Sequence, residues 1–547
     1  MRGSRSPSGS TARGLGEDFQ VGAENDLDTV SVLRGIRLHN LNIHDVNGQD
    51  KKDGDGSAGI QISVRIAGLD ANSEPAPGAI HRRTTFERVT IENNIIDKVS
   101  RSGIITWSDW KNRTELGDGI GYGSSAKTPF TLFSNVVIRN NTLSAIGGDG
   151  IVPHMTEGAL VERNTVKGFN VTSTGYNVGM WTWNGDNTLY QYNDVSGGVS
   201  TRDGNAFDFD HASRGIVYQY NFSHDNEGGT LLFCADGRAG GVYDGVFRYN
   251  VSQNDHYKLF TVCGGANLSN MKVYNNTFYI APGLSTTVLD AQGGANDVTF
   301  SNNIFYNLGS GGYIKKSSWT YSHNVYFGNN IPSSSTIPDA NASRSDPRLL
   351  SPGLAGGVDD LQGYKLRNGS DAIGTGAVIP NAAATDLWGN PVSSTHPNRG
   401  AYAGPGETGP QQDNLLSNPG FELGTASWTP WNASAVAGNA RSGANAARIT
   451  GGPGSLEQTV TGLTPRTTYV LSAYVKTSSG EIRVGAKSYG GPERYAASAA
   501  AGYTQTSVSF TTGADSTSAI VYLYKPGSRN TSFGDDFTLT EASAPSS

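Results

Sequence analysis

Apolar positions in this chain fall in short alternating runs, not in helical stripes. One phrase recurs: VTIENNII (89–96), VVIRNNTL (136–143), ALVERNTV (159–166), TLYQYNDV (188–195), IVYQYNFS (216–223), GVFRYNVS (245–252), MKVYNNTF (271–278), VTFSNNIF (298–305) and WTYSHNVY (319–326). Its sixth position is always Asn, at 94, 141, 164, 193, 221, 250, 276, 303 and 324. Alternation of this kind predicts strands, and a repeat of 21 to 29 residues predicts stacked units. The expected architecture is all-β, a parallel β-helix whose coils stack at about 4.8 Å. A side-chain amide at one point of every coil can donate to one neighbour and accept from the other, which satisfies a group otherwise costly to bury. The Asn residues are therefore expected to be structural, and the glycosylation sequons at Asn221 and Asn250 are discounted. The step from Asn94 to Asn141 is 47 residues, which suggests a coil that lacks its Asn. GIRLHNLNI (35–43) reads as an early coil with Leu41 at the ladder position.

The same alternation assigns faces to the strands that follow the ladder. In NAFDFDH, Phe207 and Phe209 should face the core. Asp208 and Asp210 then face outward, with Cα atoms roughly 6.6 Å apart, and Asp203 sits in the turn before them. One coil earlier, Met180 and Thr182 point in while Trp181 and Trp183 point out. His154 and Trp107 fall on the same outward column. A solvent-facing groove of Trp107, His154, Trp181, Trp183, Asp208 and Asp210 is expected, flanked by His211 and Arg202. Outward tryptophans beside carboxylates suit a sugar-binding cleft. Inserts near 50–55 and 107–130 read as loops that shape this face.

Composition agrees with an all-β, turn-rich protein. Gly is 72 of 547 residues, against a usual share of about 7%. The net charge of −7, with no basic block, makes nucleic acid a poor partner. No apolar run reaches the roughly 18 residues of a membrane span. The opening MRGSRSPSGSTARGLGED has no apolar core and reads as a tag, a linker or a truncated front end, so residues 1–20 are set outside the fold. A monomer is expected. Cys234 and Cys263 each lie 13 residues after a ladder Asn, so they should stack on adjacent coils. The plainer reading is a pair of buried thiols; a disulfide would fit an exported protein.

After Asn324 the pattern changes. SDPRLL (345–350), YKLRNGSDAIGTG (364–376), TDLWGNP (385–391) and RGAYAG (399–404) resemble the closing segment of right-handed parallel β-helix enzymes that act on polysaccharides, the pectin-lyase-like group. That resemblance implies a cap over the last coil, within a helical domain of 21–403. Residues 404–413 are a linker by composition. NLLSNPGFELGTASWTPW (414–431), TTYVLSAYVK (467–476) and FGDDFTL (533–539) resemble the jelly-roll carbohydrate-binding modules of the cellulose- and xylan-binding kind, over 414–547. The resemblance implies a structural Ca²⁺ on Glu422 and Asp535 or Asp536, hard oxygen donors of the type calcium prefers. By alternation Tyr474, Tyr522 and Tyr524 are candidate sugar platforms, while Trp428 is expected in the core.

Paired carboxylates are the machinery of glycosidic hydrolysis, and Asp203, Asp208 and Asp210 are the candidate set, with His211 beside them. Asp203 and Asp210, seven residues apart, also resemble a pair in β-helix lacto-N-biosidases. The alternative is that these aspartates end turns or bind Ca²⁺. A polysaccharide lyase on the same fold needs a base and a cation instead. Its candidates are His211, His224, His256, Tyr257 and Lys258, with Asp208, Asp210, Asp225 or Glu227 on calcium. Asp225 and Glu227 could equally complete a turn. A non-catalytic scaffold is the third reading. An appended sugar-binding module favours a secreted enzyme held on a polysaccharide or oligosaccharide by avidity, and a glycoside hydrolase is the first choice.

Overall fold

A computed structural model describes residues 26–542, apart from 53–56, 67–68, 70–81, 114, 116–127, 201, 236–239, 264–266, 290–295, 315–318, 408–413 and 528–529. The opening segment 1–20 and most of the 404–413 linker thus lie outside the described residues. The chain forms two compact units, 1–407 and 408–547.

The first unit is a parallel β-helix. The strand before each ladder position joins one sheet, running from Asp26–His39 to Trp319–Ser322, and the strand after it joins a second, from Asn42–Val46 to Val325–Gly328. A third, seven-stranded sheet runs through Ala58–Val64, Ser102–Ser108, Ile151–Pro153, Met180–Thr182, Asn205–Asp210, Gly229–Cys234 and Phe260–Cys263. The inward residues of all three, among them Ile138, Val161, Tyr218, Phe207, Phe209, Phe233 and Phe247, make one continuous core.

The asparagine ladder is unbroken. Each Nδ2 donates to the Oδ1 of the next Asn, at 2.8 Å from Asn94 to Asn141 and 3.0 Å from Asn221 to Asn250. The same Oδ1 also accepts the backbone N–H of the preceding coil, as Asn221 Oδ1 does from Asn193. The second Nδ2 hydrogen goes to a carbonyl one coil back, such as Tyr190 for Asn221. The residue before each Asn adopts the left-handed conformation, for example Asn93 (φ 56°), Arg163 (53°), Tyr220 (58°) and His323 (57°). Such φ values cost free energy in non-glycine residues, and here the ladder imposes them. Asn221 and Asn250 are 0% and 2% exposed, in keeping with sequons that serve packing. At one end Leu41 offers only its N–H, to Asn94 Oδ1. At the other, Asp339 accepts both donors of Asn324 through Oδ2. A carboxylate, which only accepts, is the right group to end a ladder that donates in one direction.

Three expectations change. No coil is missing between Asn94 and Asn141: Val89 pairs directly with Val136 and Ile96 with Leu143. The extra residues are an insertion after the third-sheet strand Ser102–Ser108, so coil length and register are independent. The cysteines stack with a Cα separation of 4.8 Å, as spacing implied, but they are half-buried and joined as a disulfide. The closing segment does not simply cap the last coil. Residues 339–343 do close it, but Leu349, Leu361, Tyr364, Leu366 and Tyr402 pack along the second sheet against Phe222, Val251, Tyr279, Ile304 and Val325. Those outward side chains are apolar, and the strap removes them from water.

The second unit is a β-sandwich of two five-stranded antiparallel sheets. Tyr469, Leu471, Ala473 and Val475 face its core as alternation predicts, and Trp428 packs there against Phe421 and Phe537.

Replacing a ladder amide by an isosteric apolar group should be costly, since it strands donors on both neighbours. Asn221→Leu is expected to lower unfolding stability by about 2–4 kcal/mol, read by chemical denaturation. A change under about 0.5 kcal/mol would mean that the ladder is not a stabilising device.

Candidate active site

Register on the third sheet builds the site. Trp181 pairs with Asp208, and Asp208 with Leu232; Asp210 pairs with Cys234, and Cys234 with Cys263. His154 precedes Trp183 on the neighbouring coil and accepts its backbone N–H through Nδ1 at 3.0 Å. Two outward columns result, one with Val152, Trp181 and Asp208, the other with Trp107, His154, Trp183, Asp210 and the disulfide. Asp203 stands at the turn that enters this strand, with φ 58°, bridged to Asn177 on the preceding coil. Gly228 is required there, because a Cβ would stand 1.7 Å from the Asp203 carbonyl oxygen.

The columns face outward as expected, but not into open solvent. Trp107, Trp181 and Trp183 are 7%, 4% and 3% exposed. They form an apolar layer outside the sheet, with Ile105, Val152, Met155 and Leu232. Trp107 stacks on Trp183 with centroids 5.3 Å apart, and His154 meets the edge of Trp181 at 4.6 Å. Lys52 lies over Trp181 at 4.7 Å and Lys111 over Trp107 at 5.3 Å. In place of the expected solvent-facing groove the described residues form a packed layer, with Lys52 and Lys111 lying over two of its rings.

Burial without full pairing sets the electrostatics. Burial pushes the Asp203 carboxyl up to about 6, against the pull of Lys52 and with the repulsion of Asp210 and Asp149. Burial, then Asp210 and Asp203, push Asp208 well above the carboxylate range, and its buried Oδ1 has no hydrogen-bond partner. Asp210 is held by the backbone N–H of His211 at 2.6 Å and pairs with the His211 ring. Burial, together with Lys52 and His211, drives His154 down to about 3, so its ring is neutral and Nδ1 is free of hydrogen.

Other expected site residues lie elsewhere. Arg202 is exposed and donates to the Thr174 carbonyl. Asp225, on a second-sheet turn, accepts from His224, whose other ring nitrogen meets Asp194. Burial alone would lower His224, but those two carboxylates outweigh it and raise the ring to about 9. Glu227 accepts the Ser200 N–H at 2.6 Å and so ties down the turn that carries Asp203. Asp225 and Glu227 both make hydrogen bonds within turns. His256 and Tyr257 are exposed. Lys258 is buried over the Tyr257 ring at the start of the strand Phe260–Cys263. Of the lyase candidates, His211, Asp208 and Asp210 stand together on the third sheet, while His224, Asp225 and Glu227 lie around a second-sheet turn. Missed from sequence were Lys52, Arg101 and Asp149, which enter from distant coils; the only local signal was the tight GGDG at 147–150. A cavity of about 350 Å³ lies away from the site, between Tyr249, Asn275 and residues 377–397, with no carboxylate in its lining.

In the sandwich the three tyrosines do not share a face. Tyr474 is covered by the Arg441 guanidinium, 3.5 Å from its ring centre, and so is not a free platform. Tyr522 is 3% exposed, with its hydroxyl on Glu493. Tyr524 is half-buried on the same outer face as Tyr522, and Trp431 and Tyr495, on that sheet, are 50% and 49% exposed. Glu422, Asp535 and Asp536 gather around Gly420. Their oxygens accept backbone N–H groups of Ala444, Asn445, Arg441 and Ser442, and Asp536 pairs with Arg441. Burial and Asp536 raise Asp535 to about 6. An all-oxygen set of net negative charge fits a hard cation. Among the described residues no three His, Cys, Asp or Glu side chains stand in ligating geometry, so a bound ion would require these carboxylates to turn from their backbone donors.

Residues 413–531 match the family model of a carbohydrate binding domain. A lacto-N-biosidase of Bifidobacterium longum subsp. longum is 27% identical over 432 residues, 70% of this chain and 26% of that protein. A keratan-sulfate endo-1,4-beta-galactosidase of Sphingobacterium multivorum is 46% identical over 130 residues, 23% of this chain and 31% of that protein. The chain thus spans about a third or less of these curated relatives. A solved lacto-N-biosidase from Eubacterium ramulus is 24% identical, covering 50% of this chain and 44% of its own, with a TM-score of 0.35.

The raised Asp203 carries a stability consequence. Its folded pKa, about 6, lies above the unfolded 3.8, so the folded state binds the extra proton and stability falls as pH rises between those values. Asp203→Asn should therefore be more stable than the parent at pH 8, by up to about 2 kcal/mol, and equal to it below about pH 4. A variant less stable at pH 8 would contradict the burial of an uncompensated carboxylate.

Proposed function

We propose that this protein is a glycoside hydrolase whose chemistry is carried by the aspartates at and after the turn 203–204, with the C-terminal module holding it on its glycan. The observation that carries the reading is the convergence of three carboxyl groups in a buried, aromatic site, where burial and repulsion push Asp203 and Asp208 above the usual carboxylate range. A carboxyl raised in this way is suited to act as a general acid. Asp203, raised to about 6, is the proposed general acid. Asp210, held by the His211 N–H and ring, is the proposed nucleophile or base. Asp208 keeps its proton and presents it to a substrate hydroxyl or amide, which would satisfy its buried Oδ1. Trp107, Trp181 and Trp183 would supply walls for the C–H faces of sugar rings once substrate displaces Lys52 and Lys111, which lie over Trp181 and Trp107, and His154, as a neutral donor at Nε2, borders them.

The lacto-N-biosidase likeness supports a substrate with a lacto-N-biose unit, and 4-nitrophenyl β-lacto-N-bioside is the first probe. Asp203→Asn and Asp210→Asn should each lower kcat by at least about 10³-fold without lowering the melting temperature. In the parent, kcat/KM should fall as pH rises through about 6, as the acid loses its proton. The panel should also include neutral and uronic polysaccharides. A hydrolase makes new reducing ends without unsaturated uronate absorbance; absorbance that appears together with each new reducing end would overturn the hydrolase reading in favour of a lyase, because β-elimination produces both. No turnover on any glycan would favour a binding scaffold.

We also propose a structural Ca²⁺ at Glu422, Asp535 and Asp536. The support is their shared location and the repulsion between Asp535 and Asp536, which a cation would relieve. Added Ca²⁺ should raise the melting temperature of the module by a few degrees over its value in chelator, and Asp535→Asn should abolish the rise. Equal melting in calcium and chelator would remove the ion from the account.

A further inference from the structure

We propose that Asp149, anchored by Arg101, is a positioning residue that locks the indole of Trp181 as the sugar-stacking wall beside Asp208. The inference rests on the hydrolase reading for its kinetic part alone. Asp149 Oδ1 accepts the Trp181 Nε1–H at 2.9 Å and the Val178 N–H at 3.0 Å. Its Oδ2 meets Arg101 at 3.1 Å, and both side chains are 2% exposed. Arg101 is itself fixed on several sides. It donates to the Lys51 carbonyl at 3.2 Å and to the Asn177 side-chain oxygen, and it lies 3.5 Å from Asp50. A buried ion pair is seldom the cheapest way to stabilise a fold, so its retention under an aromatic wall calls for a geometric reason.

The backbone is shaped for the pair. A Cβ on Gly148 would stand 1.8 Å from the Arg101 guanidinium, and one on Gly150 would stand 2.3 Å from the Gly179 carbonyl oxygen. Residues 147–150 are thus small where the Arg101 side chain must pass and where the next coil must approach. Trp181, so fixed, pairs in register with Asp208, receives His154 on its edge and carries Lys52 over its ring. Two distant segments therefore meet on one indole, through Lys52 and Asp149, and Arg101 braces both of them from behind. The charge of Asp149 also repels Asp203 and Asp208, which adds to the effect of burial on both.

Two variants separate orientation from charge. Asp149→Asn keeps an oxygen for the indole N–H, whereas Asp149→Ala removes it. The Trp181 Nε1–H resonance, assigned by Trp181→Phe in ¹⁵N-tryptophan-labelled full-length protein, should exchange slowly with solvent in the parent and in Asp149→Asn. In Asp149→Ala it should move and exchange at least about tenfold faster. On 4-nitrophenyl β-lacto-N-bioside, Asp149→Ala should raise KM on the order of tenfold, since a small displacement of a substrate wall is enough for that. Asp149→Asn should restore KM to within about threefold while shifting the alkaline limb of the pH profile to lower pH. An indole resonance unmoved in Asp149→Ala overturns the proposal whether or not the protein cleaves this glycoside. A parent without turnover on any glycan overturns the hydrolase reading, and the resonance still decides the role of Asp149. Should Asp149→Ala fail to fold, Arg101→Gln provides the same test, with a faster-exchanging Trp181 indole expected and an unchanged one contrary.

Discussion

The whole β-helix depends on one hydrogen bond made eight times, the side-chain amide of each coil to that of the next, with the last amide passing to Asp339. It accounts for register. An inserted loop can lengthen a coil to 47 residues without moving any strand, because Asn94 and Asn141 still meet at 2.8 Å. It also accounts for backbone that would otherwise be unfavourable, since the preceding residue is held at positive φ even where it is Arg163 or Tyr220. The polarity of the ladder is resolved at its ends, by a bare N–H at Leu41 and by the acceptor-only Asp339. Buried amides that are fully paired carry little penalty and specify one alignment strongly.

Fixed alignment turns positions in the sequence into columns in space. The third sheet uses this to bring Trp181 against Asp208, and Asp210 against the Cys234–Cys263 disulfide. The same regularity creates a conflict, because three carboxyl groups cannot all ionise in a buried layer. Burial and repulsion raise Asp203 and Asp208, and Lys52, brought in from a distant coil, pulls both back; Arg101 pairs with the neighbouring Asp149. Structures that accept such a burden usually do so at functional sites.

The parts of this organisation legible in the sequence are those set by local periodicity. The ladder, the inward Phe207 and Phe209, the outward Trp181 and Asp208, and the stacking of the cysteines all follow from counting residues from an Asn. What covers a strand does not follow from its own alternation. Trp183 faces outward as expected yet is almost fully buried, because Trp107 from another coil stacks on its ring. Tyr474 has the right parity for a platform, but Arg441, 33 residues earlier, occupies its face. Arg101 and Asp149 are 48 residues apart, and only the folded coils reveal that they meet.

The most direct measurement is a crystal structure of the Asp210→Asn variant with a bound oligosaccharide from the panel that the parent cleaves. The account predicts a sugar ring against Trp181 and Trp183, with its glycosidic oxygen within hydrogen-bond reach of Asp203 and a hydroxyl or amide on Asp208. A saccharide bound only to the C-terminal sandwich, or on another face of the coils, while the third-sheet site stays empty, would contradict it.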